Sequence, residues 1–118
     1  MPFTVFHYSG SDRFKRFSVE AFEDGLTKDF RQVATVEAGN LDEAYALTQH
    51  LARPWTDGPR VTLSADDAAR LAIARAGSPE INSSVLLRIR STSVGDILVD
   101  SDGVAHGVAA VGFERIGA

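Results

Sequence analysis

Phe30-Arg31-Gln32-Val33-Ala34-Thr35-Val36-Glu37-Ala38 runs into Gly39-Asn40 and then into Leu41-Asp42-Glu43-Ala44-Tyr45, and this change of pattern decides the fold class. The first nine residues are rich in strand-forming side chains and end in a Gly-Asn pair, as strands end in turns. Asn40 can cap a helix. Glu43 stands three positions on, where its carboxylate reaches back in the capping-box arrangement and favours the positive end of the helix dipole. Leu41, Ala44, Tyr45, Thr48 and Leu51 then follow the i, i+3, i+4 rhythm, so one face packs while Asp42, Glu43 and Gln49 meet water, and Pro54 ends the run. The stretch predicts a strand at 31–38 beside a helix at 41–52.

Upstream, Phe3-Thr4-Val5-Phe6-His7-Tyr8 is aromatic and β-branched and stops at Ser9-Gly10-Ser11-Asp12, a strand at 3–8 leading into a loop. Residues 13–30 carry Phe14, Phe17, Val19, Phe22 and Leu26 without a clean period, so a partly helical or irregular connection is expected there. Downstream, Arg53 to Pro59 forms a proline-stiffened loop around Trp55, and Arg60-Val61-Thr62-Leu63 can add a short strand. Ser64 as cap, Asp66 and Asp67 in the first turn, an alanine-rich interior, Gly77 and Pro79 signal a helix at 65–76. Val85, Leu87 and Ile89 alternate with Leu86, Arg88 and Arg90, which predicts a strand at 84–90. Strands at 94–99 and 104–115 flank Asp100-Ser101-Asp102-Gly103, where Asp-Gly supplies the positive φ of a tight hairpin. The expected architecture is one α+β domain over 1–118. Its sheet is mostly antiparallel, two helices pack mainly on one face, and a β-hairpin closes the chain.

The 118 residues suffice for one core, and 44% hydrophobic with 24% charged residues excludes disordered, collagen-like and coiled-coil chains. Twelve basic against sixteen acidic residues give a net charge of −4, the wrong sign for a general nucleic-acid binder and too mild for a DNA mimic. With no cysteine there is no disulfide framework, thiol nucleophile or thiolate metal site, which fits a reducing cytoplasm. The N-terminus lacks the basic-then-apolar layout of a secretory signal, and no apolar stretch reaches the length of a membrane span. A soluble intracellular protein is expected.

His7, His50 and His106 are the candidate general bases or metal ligands, yet none stands in a His-x-x-x-His or His-Glu-x-x-His motif, so no metal, cofactor or catalytic residue is assigned. Serines lie where turns and caps want hydroxyls, with no Gly-x-Ser-x-Gly elbow, and the glycines form no phosphate-binding loop. Asp66/Asp67 is explained by a helix dipole and Asp100/Asp102 by turn formation. Arg13, Lys15 and Arg16, interleaved with Phe14 and Phe17, and the Arg88/Arg90 pair are the candidate phosphate contacts; their alternative role is a solvated face. Trp55 has two readings, a low-entropy binding anchor on its stiff loop or a lid over the core beside the first helix.

Val33 to Ala38, Leu41-Asp42-Glu43-Ala44-Tyr45, Thr48-Gln49-His50, Pro54-Trp55-Thr56, Arg90-Ser91-Thr92-Ser93-Val94-Gly95-Asp96-Ile97 and Val111-Gly112-Phe113-Glu114 together resemble small uncharacterised proteins of actinobacterial phages and plasmids. The Arg-Ser-x-Ser-Val-Gly-Asp block and the terminal Gly-Phe-Glu are similar to the YodL-like domains of mobile elements. These motifs cover about half of the chain, and residues 64–87 look like an insertion relative to shorter relatives. The resemblance implies a phage or mobile-element origin and a role in host interaction or takeover, acting in the host bacterial cytoplasm, with no reaction attached.

Three functions follow as expectations. The first is a non-enzymatic protein that binds an unidentified host protein, with Trp55, Arg90, Ser91, Ser93 and Asp96 as candidate contacts. The second is a nucleic-acid-binding module using Arg13, Lys15, Arg16, Arg88 and Arg90. The third is an enzyme using His50 or His106 with Asp96. No membrane partner is expected, and exposed strand edges leave both monomer and homodimer open.

Overall fold

The computed structural model of the chain describes residues 1–8, 30–50 and 54–116. Alternation along β1 (Pro2–Tyr8) buries Phe3, Val5 and His7 on one face of the sheet. β2 (Phe30–Glu37) pairs antiparallel with it, but the register shifts: Val5 faces Ala34 while Phe6 faces Gln32, leaving Val33 as the extra residue of a bulge. Val33 and Ala34 are consequently both buried although they are adjacent in sequence. There follow α1 (Leu41–Leu47), a 3₁₀ turn (Trp55–Asp57), β3 (Val61–Leu63), α2 (Ala65–Gly77), α3 (Ser83–Leu87), β4 (Ile97–Val99), β5 (Ala105–Val108) and β6 (Phe113–Ile116).

The six strands form one sheet in the order β3-β2-β1-β4-β5-β6, every neighbouring pair antiparallel, which is the α+β architecture expected. One face carries Phe3, Val5, Val36 and Leu98, and against it pack Ala44 of α1, Trp55 of the 3₁₀ turn, Leu87 of α3 and Ile89. A smaller cluster of Phe30, Ile97 and Ala105, with Phe6, Tyr8 and Val99 beside it, occupies the other face.

Several boundaries differ from the sequence expectation. The helix expected at 41–52 stops at Leu47, because Thr48 Oγ1 (2.8 Å) and Gln49 Nε2 (3.1 Å) both donate to Tyr45 O and compete with the next helical turn. The strand expected at 84–90 is replaced by the short helix α3. Asn82 Oδ1 caps it by accepting from Ser84 N at 2.9 Å, so Ser83 and Leu87 face inward while Val85 is 73% exposed. The strand at 94–99 begins only at Ile97, since Gly95 (φ 100°) lies in a turn closed by Asp96 N donating to Ser93 O at 3.0 Å. The long strand at 104–115 is two strands, broken at Gly112 (φ 71°) where Ala109 N donates to Gly112 O at 3.1 Å. Ser64 stands at the N-cap of α2, its carbonyl accepting from Ala68 N at 2.9 Å, but its hydroxyl bonds to Asp67 Oδ2 at 3.0 Å and caps no backbone N–H. The expectation for residues 13–30 lies, apart from Phe30, outside the described residues.

Candidate functional site

The Arg90 to Asp96 segment is built inward around one carboxylate. Asp96 is fully buried, and its two oxygens accept four hydrogen bonds. Oδ1 takes Tyr8 N at 2.8 Å and Arg90 Nη2 at 2.7 Å; Oδ2 takes Arg90 Nη1 at 2.5 Å and Ser93 N at 2.7 Å. The bidentate pair is the geometry in which a guanidinium best matches a carboxylate, and it holds the Arg90 charge more firmly than usual. Arg90 also donates to Tyr8 O at 3.1 Å, so it clamps the end of β1 to the segment entering β4.

Histidines extend this clamp. His7 lies across from Arg31 on β2, and its Nε2 stands 2.9 Å from Thr92 Oγ1 and 3.9 Å from Asp96 Oδ2. Burial pushes its pKa down to about 4; the nearby Asp96 charge opposes that shift, and Arg90, Arg31 and His50 add to it. His7 is therefore neutral near pH 7. His50 Nδ1 accepts from Trp55 N at 3.0 Å, which leaves Nε2 as the protonated nitrogen that donates to Ile89 O at 2.8 Å. His106 stands apart, its Nε2 3.0 Å from Asp100 Oδ2. That bond, with two more from the backbone N–H groups of Val104 and Asp102, holds the Asp100 carboxyl below its ordinary range. Among the described residues no three metal-ligating side chains converge.

Of the two readings of Trp55 the structure gives the core lid, which removes it from the candidate contacts. It is 3% exposed, packs near His7 with ring centroids 6.0 Å apart, and donates from Nε1 to Arg90 O at 2.8 Å. Ser91 Oγ accepts from His50 N at 2.8 Å and Ser93 Oγ from Arg90 Nη1 at 3.2 Å, so both hydroxyls serve the scaffold. Arg13, Lys15 and Arg16 lie outside the described residues.

What the scaffold presents to solvent is a cleft of about 300 Å³ lined by His7, Tyr8, Arg31, Val33, Arg88, Ile89 and Arg90. Three guanidinium-bearing residues thus share one small opening. Arg31 bridges to the buried Asp67 of α2, and Arg90 to Asp96. Arg88 has no ion pair or hydrogen bond among the described residues, and it is the C-cap of α3 at φ 55°, a left-handed conformation that glycine ordinarily takes. The Arg88/Arg90 pair was legible in the sequence; Arg31 and Asp67 were not. The available signal for Arg31 was a cation set between strand residues, and for Asp67 a Ser-x-x-Asp spacing read only as dipole charge.

No family model matches the chain, and comparisons with curated proteins and with solved structures return no match either.

Proposed function

We propose that this chain is a non-enzymatic binding protein of a mobile genetic element that engages a host protein in the bacterial cytoplasm, seating a partner carboxylate in the arginine cleft. The observation that carries this reading is the uncompensated Arg88 at the rim of the cleft. Of the three guanidiniums that line the cleft, Arg31 pairs with Asp67, which Arg70 also approaches at 3.7 Å, and Arg90 with Asp96, so Arg88 supplies the unpaired positive charge. A site of that charge and volume suits one aspartate or glutamate side chain or a terminal carboxylate. A nucleic-acid backbone needs a basic track, and the net charge of −4 repels a polyphosphate.

The test is capture from host lysate by the full chain and by Arg88→Gln, a change at an exposed position. A partner recovered by the parent should be depleted at least about ten-fold by the variant, with the melting temperature unchanged, because a charge-assisted hydrogen bond is lost. Equal recovery refutes the reading. A shift of mixed-sequence DNA or RNA that weakens steeply with salt and follows Arg88 would transfer the site to nucleic acid.

A further inference from the structure

A second cleft, of about 480 Å³, runs between β3 and α2, away from the arginine site. One wall is Val61, Thr62 and Leu63; the other includes Ala68, Leu71 and Ala72, which share a helix face at i, i+3, i+4 spacing. Successive strand residues point to opposite faces of a sheet, so a cleft lined by all three residues of β3 runs along the edge of the strand. β3 is an end strand of the sheet.

The ladder shows which backbone groups that edge offers. Glu37 N donates to Arg60 O at 2.9 Å and Ser64 N to Val33 O at 3.4 Å, so even-numbered residues turn toward β2. By alternation, Val61 and Leu63 turn outward. Val61 N is taken by Gly58 O at 3.2 Å, which among the described residues leaves one donor, Leu63 N–H, and two acceptors, the carbonyls of Val61 and Leu63, facing the cleft. Thr62 and the two alanines that line the cleft are exposed and uncharged, and the one charged pair in the lining, Asp57 with Arg75 at 2.9 Å, is matched internally.

We infer that this cleft is a strand-addition site: an extended segment of a partner protein pairs antiparallel with Val61–Leu63 and lays small apolar side chains against Ala68, Leu71 and Ala72. Backbone pairing supplies the attraction and the helix face selects the side chains. The occupant is a lone strand. A second copy of this chain would bring its own β2 on the far side of β3, where α2 already forms the wall.

The experiment selects a displayed library of random heptapeptides on the full chain, with counter-selection on Ala72→Glu, an exposed-position variant that puts a charge on the wall. Enriched peptides should alternate apolar residues, slow hydrogen exchange at the Leu63 amide, and lose at least about ten-fold in affinity when alternate backbone nitrogens are methylated. No enrichment over the counter-selection, or methylated peptides binding as well as their parents, overturns the inference. Arg88→Gln should leave peptide affinity unchanged, so this result stands or falls separately from the arginine cleft.

Discussion

Acid should destabilise this protein through His7, and the size of the effect follows from its burial. In the unfolded chain the imidazole titrates at its ordinary 6.5; in the folded protein burial lowers it to about 4. Between those values the unfolded state binds the extra proton, so stability is fully present above pH 6.5 and declines as pH falls toward 4. At about 1.36 kcal/mol per pH unit, the full loss is about 3 kcal/mol, and roughly 2 kcal/mol has gone by pH 5. For a domain of this size that is a fall of roughly 6–10 °C in melting temperature. Urea unfolding at pH 7.5 and pH 5, followed by the fluorescence of the buried Trp55, measures it. His7→Gln keeps a polar atom for Thr92 and removes the titration. Groups remote from His7 contribute equally to both proteins, so the parent should lose about 2 kcal/mol more than His7→Gln over this interval. Parallel pH profiles for the two proteins, within about 0.5 kcal/mol, would refute the argument.

Gly103 (φ 82°) closes the turn between β4 and β5, so Gly103→Val should cost about 1–2 kcal/mol in chemical denaturation. Asp96→Asn puts an amide where four donors converge on a buried carboxylate; a loss of about 2–3 kcal/mol is expected, moderated because Arg90 is half exposed and can turn to water. Arg88→Gly relieves the left-handed backbone and should raise stability by roughly 0.5–1 kcal/mol in calorimetry while weakening partner capture. A variant both more stable and fully binding would remove Arg88 from the site.

Local signals carried the sheet and two helices well. Asn40 caps α1 as its spacing from Glu43 anticipated, Oδ1 accepting from Glu43 N at 2.8 Å, but the Glu43 carboxylate reaches back to Gly39 N at 3.4 Å and not to Asn40 N. The hairpin at Asp100 to Gly103 sits where the Asp-Gly pair placed it. Misreadings arose where a short pattern fits two periods. Val85, Leu87 and Ile89 alternate like a strand, but the Asn82 cap and the inward Ser83 and Leu87, four apart, favoured one turn of helix. The site was half legible, because Arg88 and Arg90 are neighbours in sequence while Arg31, His7 and Asp67 join them only through the β1–β2 register and an ion pair across 36 positions. Asp96 is a candidate partner contact in the sequence and a buried scaffold carboxylate in the structure. Nothing in its local sequence reveals that Tyr8 and Arg90 would enclose it.

The far edge of the sheet obeys a parity rule. Two copies joined edge to edge by antiparallel β6 strands are related by a dyad normal to the sheet. Such a dyad keeps each side chain on its own face, so paired residue numbers must sum to an even value. Glu114 can therefore never stand opposite Arg115 of the other copy. The two pairings centred within this four-residue strand set Glu114 against Glu114 or Arg115 against Arg115, both exposed and both repulsive. Two adjacent charges of opposite sign, which look self-complementary in a linear sequence, thus make β6 an edge that rejects its own kind, while an unrelated strand free of the dyad can take either register.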